Sequence, residues 1–260
     1  MTTRTACGVA WAGACGLSRD VNDLIKSARK LADSLRPLEF SPPVAQVYLP
    51  LDYAWQAHQM YLQRFGGGRK RVLFLGMNPG PYGMAQTGVP FGEIAAVREW
   101  MGIQAAVAKP AREHPKRPID GFACQRSEVS GRRLWGLFAA RYPRPEDFFA
   151  DHFVLNFCPL VWMSESGANL TPDKLAAAEM VAVERACLAH LAEAIDRLRP
   201  SYLIGVGGFA EARLRLAAAA TGSKAQIGRV LHPSPASPAA NRGWAEAATR
   251  QLEAIGVWPG

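Results

Sequence analysis

The sequence is short of the features that announce the commoner chemistries. Its five cysteines (Cys7, Cys15, Cys124, Cys158 and Cys187) form no C-x-x-C pair, so neither a zinc ribbon nor an iron–sulfur cluster is indicated. An odd number of widely spaced thiols fits a reduced, cytoplasmic protein better than a disulfide framework. No run is both long and apolar enough to cross a bilayer. The start, MTTRTACGVAWAGAC, reads as a loose extension over residues 1–17 rather than an export signal. No Gly-Lys-Ser/Thr follows a glycine-rich turn, which excludes a P-loop. The turn Gly205-Val-Gly207-Gly-Phe-Ala210 has dinucleotide-fingerprint spacing, but that fingerprint needs an acidic residue about twenty positions on. Residues 212–245 contain no Asp or Glu. A nicotinamide cofactor is therefore rejected, and the turn is read as structural.

What the sequence does have is apolar content and positive charge. Of 260 residues, 49% are apolar, and the formal net charge is +8. Half of that excess lies in residues 98–133, where eight basic residues (Arg98, Lys109, Arg112, Lys116, Arg117, Arg126, Arg132, Arg133) face four acidic ones (Glu99, Glu113, Asp120, Glu128). An anionic partner such as nucleic acid fits this balance, although a solvated loop has the same composition.

Apolar periodicity predicts a helix from Ser18 or Asp20 to Leu35 and a second over LDYAWQAHQMYLQRF, stopped by Gly66-Gly67-Gly68. Between them, FSPPVAQVYLP is extended. Strands are predicted at Arg71–Gly76, His152–Phe157, SYLIGVG and IGRVLHP. Helices are predicted over 93–105, from Thr171-Pro172-Asp173 to Leu198, over Phe209–Ala220 and over Asn241–Ile255, with 106–131 mostly irregular. Short apolar strands alternating with helices imply one α/β domain over 18–260, a three-layer αβα fold with a central four-stranded parallel sheet. In such sheets ligands bind beyond the carboxyl ends of the strands.

Three of those ends carry candidate chemistry. The first runs VLFLGMNPGPYGMAQTGVPFG (72–92), with five glycines, three prolines, one asparagine and no charged residue. Asn78 is its one candidate, against the plain reading of a rigid turn. The second presents Asn156, whose amide offers a donor and an acceptor side by side and so complements the O4 and N3–H edge of uracil. The fourth presents His232, followed by the proline-spaced loop Pro233-Ser234-Pro235-Ala236-Ser237-Pro238. Each of these, taken alone, has an equally good structural explanation.

Together they do not. GMNPGPYGMAQTGVPFG and HPSPASPAANRGW closely resemble the two signature motifs of the uracil-DNA glycosylase superfamily, and in detail those of its single-strand-selective monofunctional members. VYLPLDYAWQAH, HPKRPIDGFACQRSEVSGRRLWG and NFCPLVWMSESGANLTP agree in order and spacing, so the resemblance runs from about Phe40 to the end. It implies hydrolysis of the N-glycosidic bond of uracil in single- and double-stranded DNA by a monomer, nucleoid-associated if the source is bacterial, with no metal or cofactor. Asn78 matches the residue that holds the attacking water, and His232 the histidine that contacts uracil O2. Phe91 matches the aromatic that stacks on the flipped base, Asn156 the residue that reads its edge, and Met77 the pocket wall. Gly80 stands where bulkier residues in other members crowd the C5 side, which implies acceptance of 5-substituted uracils. Tyr82 stands where animal members have Phe, and its hydroxyl is expected at the pocket. Pro235, Ala236, Ser237, Pro238 and Asn241 match the wedge that enters the base stack, although animal members carry Arg and Asn where this chain has Ala236 and Ser237. Arg132, Arg133 and Arg242 are candidate phosphate contacts.

The resemblance also accounts for the uncharged first loop. Glycosidic cleavage passes through an oxocarbenium-like state, so a held water suffices without a carboxylate base, while a preorganised donor stabilises the departing uracil anion. Neither motif contains lysine, so strand cleavage through a Schiff base is not expected. Two rival readings stay open at this point: the same chemistry on hypoxanthine or xanthine, and a damage-binding protein that flips bases without cutting.

Overall fold

The computed structural model describes residues 19–259; the extension over 1–17, with Cys7 and Cys15, and the Ser18 cap lie outside the described residues. Helix α1 (Arg19–Leu35) comes first. Strand β1 (Gln46–Tyr48), the one-turn α2 (Pro50–Tyr53) and helix α3 (Trp55–Phe65) lead into β2 (Val72–Gly76). The one-turn α4 (Met84–Thr87), a π-helical turn (Ala96–Trp100) and a 3-10 turn (Gly121–Ala123) follow. Helices α5 (Val129–Arg141) and α6 (Pro145–Asp151) then bring the chain to β3 (His152–Asn156). The short β4 (Val161–Met163) and β5 (Asn169–Leu170) precede the long helix α7 (Ala177–Leu198). Last come β6 (Tyr202–Val206), α8 (Gly208–Thr221), β7 (Gln226–Val230), the one-turn α9 (Pro238–Asn241) and α10 (Trp244–Ile255).

The four predicted strands form one parallel sheet in the order β3-β2-β6-β7. Every residue of β2 is buried. Successive side chains leave a strand on opposite faces, so both faces of the sheet are covered, as the three-layer αβα reading requires. Because β2 has neighbours on both sides, the chain departs from it in two directions, and the crevice beyond its carboxyl end is the ligand position expected of such a sheet. Register makes that crevice narrow. Gly76 pairs with Asn156 and Leu75 with Gly205. Pairing continues past the strands, with Phe157 N–H donating to Gly76 O at 2.9 Å and Cys158 N–H to Met77 O at 3.0 Å. The loops after β2 and β3 therefore leave side by side.

Three expectations need correction. The helix over 51–65 is broken at Ala54 (φ −108°, ψ 24°), which lets α2 lie beneath the first motif; Tyr53 Oη donates to Ala85 O at 2.7 Å. The helix over 93–105 shrinks to a turn ended by Gly102 at φ 62°. The long helix starts at Ala177 rather than Thr171, because Thr171 and Leu175 are extended around a separate 3-10 turn, Pro172–Lys174. A second, antiparallel sheet of β1, β4 and β5 was not predicted. It holds the segment 169–171 against the first motif, with Asn169 Nδ2 donating to Pro79 O at 3.3 Å. Among the described residues no helix is long and apolar enough to cross a membrane, and Cys124, Cys158 and Cys187 are free thiols.

The rejected dinucleotide turn shows why its glycines are there. A Cβ at Gly205 would lie 2.4 Å from the backbone N of Glu211, so α8 packs against β6 only because that atom is missing. Gly205→Ala is expected to lower the unfolding free energy by roughly 1–3 kcal/mol, read from urea denaturation. A loss below about 0.5 kcal/mol would mean that α8 shifts freely.

Candidate active site

A cavity of about 350 Å³ opens at the carboxyl end of the sheet, and Met77, Asn78, Gly80, Phe91, Asn156 and His232 line it together. A larger hollow of about 610 Å³, lined by Ser201 and Ala225, sits at the opposite, amino-terminal edge of β6 and β7. Convergence of polar groups, not size, marks the smaller cavity as the site.

Glycines make the convergence possible. Phe91 adopts φ 52°, a left-handed conformation rare for a bulky residue and typical of a functionally constrained position. A Cβ at Gly76 would stand 2.4 Å from the Phe91 ring and 2.4 Å from Asn156 Oδ1; one at Gly131 would stand 2.0 Å from Phe91 O. Phe91 is thus clamped between β2 and the start of α5, its ring 7% exposed and tilted 43° to the imidazole of His232 at 6.4 Å. Asn156 Nδ2 finds only the soft acceptor Met84 Sδ, at 3.4 Å. Asn78 Nδ2 reaches Leu170 O at 3.5 Å, the limit of a hydrogen bond, and Asn78 Oδ1 is buried with no donor at all. With no donor from the protein, this atom is free to accept from a water or ligand group that enters the cavity.

His232 is held in one tautomer. Ser234 N–H donates to its Nδ1 at 3.1 Å, so Nδ1 carries the lone pair and the neutral ring keeps its proton on Nε2. Burial pushes its pKa below the ordinary histidine value, because a charged ring loses hydration there. The ring rests on Gly207 (φ 93°), where a Cβ would lie 3.3 Å from His232 Cβ. The turn read as merely structural is the seat of the histidine.

The sequence reading missed the one carboxyl at the site. Glu128 lines the cavity and caps α5, its Oε2 accepting from Gly131 N at 2.9 Å. Its other oxygen faces the first motif, 3.5 Å from the position of a Gly80 Cβ. Burial, reinforced by the nearby Glu93, pushes the Glu128 pKa up to about 7. Ser130, Asn169 and Thr171 also line the cavity. A lone Glu before a helix and a two-residue strand carry no signal in one sequence, although both lie within the stretches that carry the resemblance.

Other expected contacts lie elsewhere. Tyr82 does not line the cavity; it faces a neighbouring recess with Lys116 and Arg126. Arg133 is not free for phosphate. It donates through Nη1 to Pro233 O at 3.0 Å and through Nη2 to Asn241 Oδ1 at 2.9 Å, which braces the second motif. Ser237 caps α9 by accepting from Ala240 N at 3.3 Å, and Asn241 Nδ2 ties back to Pro235 O at 2.8 Å. Pro235, Ala236, Pro238, Arg132 and Arg242 are exposed.

The chain has known relatives. The model of the uracil DNA glycosylase superfamily matches residues 64–253. The chain belongs to that superfamily. It is 47% identical over 230 residues to the single-strand selective monofunctional uracil-DNA glycosylase of Rattus norvegicus, covering 88% of this chain and 83% of that protein. The Bos taurus protein of the same description is also 47% identical, with 88% and 85% covered. The crystal structure of Pedobacter heparinus SMUG2 superposes with a TM-score of 0.61 at 16% identity, over 89% of this chain and 97% of that one. At that identity the likeness speaks for the fold. The superfamily member described here thus brings Asn78, Phe91, Asn156 and His232 to one cavity and adds Glu128 to them.

Two outcomes follow from the titrating groups. In ¹⁵N NMR, His232 should show the Nε2–H tautomer at pH 7 and titrate below an ordinary histidine; an Nδ1–H tautomer would contradict the Ser234 contact. Glu128 works against stability as pH rises. Its folded pKa of about 7 exceeds the ordinary carboxyl value of 4.5, so the folded chain keeps a proton that the unfolded chain loses between those pH values. Glu128→Gln keeps an acceptor for Gly131 N, so its stability relative to wild type should rise from pH 5 to pH 8 in denaturant melts. A difference independent of pH would place the Glu128 pKa at its ordinary value.

Proposed function

We propose that this protein is a monofunctional DNA glycosylase of base excision repair, which hydrolyses the bond between uracil and deoxyribose and leaves an abasic site. The observation that carries the chemistry is one cavity holding an unpaired acceptor, Asn78 Oδ1, and a fixed donor, His232 Nε2–H. Uracil extruded from the strand stacks on Phe91, with the Asn156 amide at its O4 and N3–H edge. Asn78 Oδ1 holds the water. As the glycosidic bond lengthens, the sugar becomes oxocarbenium-like and negative charge collects on the base. The neutral imidazole then donates to O2, a fixed dipole that stabilises charge as it develops. Among the described residues no lysine lines the cavity, in keeping with the monofunctional relatives.

Gly80 leaves the C5 side open, and the Glu128 carboxyl beyond it offers an acceptor to a polar 5-substituent. This supports turnover of 5-hydroxymethyluracil alongside uracil. The exposed rim Pro235-Ala236 is small and uncharged, which favours single strands over an intact duplex, whose vacated stack it would fill poorly. A cytoplasmic monomer is the working form proposed.

The test is cleavage of a single-stranded uracil oligonucleotide, with and without alkali. Strand breaks should appear only after alkali. Asn78→Ala should slow single turnover by at least about 10²-fold, and His232→Ala by about 10²–10³-fold. Breaks with hypoxanthine or xanthine but not uracil would move the substrate and keep the chemistry. Tight binding with no break at any base would overturn the enzymatic reading.

A further inference from the structure

The base cavity leaves the recess beside the first motif unexplained. Tyr82 Oη accepts from Arg117 Nη1 at 2.7 Å and from Arg126 Nη1 at 2.5 Å. Both guanidiniums also lie over its ring, 5.4 and 5.1 Å from the centroid. Lys116 and Gln125 line the same recess, which encloses about 340 Å³. Like charges gathered on one phenol repel each other, and among the described residues neither guanidinium is within ion-pair distance of a carboxylate. Among the described residues, the acids of this stretch are committed elsewhere: Glu99 pairs with Arg98, Glu113 and Asp120 pair with Lys109, and Glu128 caps α5 in the base cavity. Asp120, the one acid in the recess wall, stands 3.7 Å from Lys109 Nζ.

The cluster is also partly preset. Arg117 Nε donates to Gly167 O at 2.8 Å and its Nη1 to Lys116 O at 3.1 Å, so Arg117 is held in place with its Nη2 group left for a phosphate, while Arg126 supplies the exposed guanidinium of the recess wall. Tyr82 belongs to the loop that carries Asn78 and Gly80, so the recess and the base cavity are built on the same motif. A phenylalanine at position 82 would keep the ring and lose the oxygen that draws both guanidiniums together. We propose that Tyr82, Arg117 and Arg126 form a phosphate site that takes a backbone phosphate of the substrate strand next to the flipped nucleotide. The proposal rests on the glycosylase reading above.

The experiment measures binding of a uracil-free single-stranded oligonucleotide to the full chain across NaCl concentrations, by fluorescence anisotropy. On single strands each neutralised phosphate contributes about 0.7 to the slope of log K against log salt. Arg126→Gln should lower the slope by about that amount and raise KM for the uracil oligonucleotide several-fold, with the effect on KM rather than kcat. Tyr82→Phe should shift both in the same direction, and Arg250→Gln on α10 should shift neither. Unchanged slopes in Arg126→Gln and Tyr82→Phe would overturn the proposal, as would a fall in kcat at constant KM. Inorganic phosphate at fixed ionic strength should compete weakly with the oligonucleotide, and Arg126→Gln should abolish the competition. Phosphate binding that leaves oligonucleotide binding untouched would assign the recess to a free anion and overturn the DNA assignment. Because the slope is read without uracil, a wild-type chain with the expected slope but no uracil release would sink the glycosylase reading and leave the phosphate site standing.

Discussion

The site depends on a close approach at Gly76. There the backbone of β2 passes so near the Phe91 ring and the Asn156 amide that a single methyl group would lie 2.4 Å from each. Parallel register sets Asn156 directly beside Gly76, and the left-handed Phe91 folds its ring back over the same point. Every other part of the cavity is arranged around that contact. Gly131 lets α5 meet the Phe91 carbonyl, which brings the Glu128 cap to the cavity, and Gly207 gives His232 a flat seat across from it. Interiors are packed closely enough that one methylene is felt, so the glycines act as shape, not slack.

Electrostatics completes what shape begins. Among the described residues, the cavity has one fully buried side-chain oxygen with no donor from the protein, Asn78 Oδ1, and one imidazole whose tautomer is fixed by a backbone N–H. Both residues line the same cavity, so an acceptor without a protein donor and a donor of fixed tautomer serve one space. Burial favours the neutral form of His232 and raises the Glu128 pKa to about 7, so near pH 7 about half of the Glu128 carboxyls keep their proton. The cavity therefore meets a departing anion with the His232 dipole and with a carboxyl that carries far less negative charge than an ordinary Glu. The positive charge of residues 98–133 is divided: Arg133 braces the second motif, while Arg117 and Arg126 gather on Tyr82 outside the cavity.

The sequence by itself determined the sheet, because four short apolar runs between helices have few other ways to bury themselves. The central strands and the helices that flank them were legible for that reason; Asn78, Asn156 and His232 stood out at strand ends but were carried by the resemblance, which alone named Phe91. Tertiary structure decided the rest. Glu128 reaches the cavity because α5 docks on Phe91, a contact between residues 40 apart in sequence that no local pattern encodes. The small antiparallel sheet was invisible because its strands run to two or three residues, too short for a period of two to register. Likewise, Arg133 and Tyr82 carry the residue types of a phosphate contact and a pocket wall. Only the fold shows that the first is spent on carbonyls and that the second collects arginines, because a side chain's partners are fixed by packing and not by its identity.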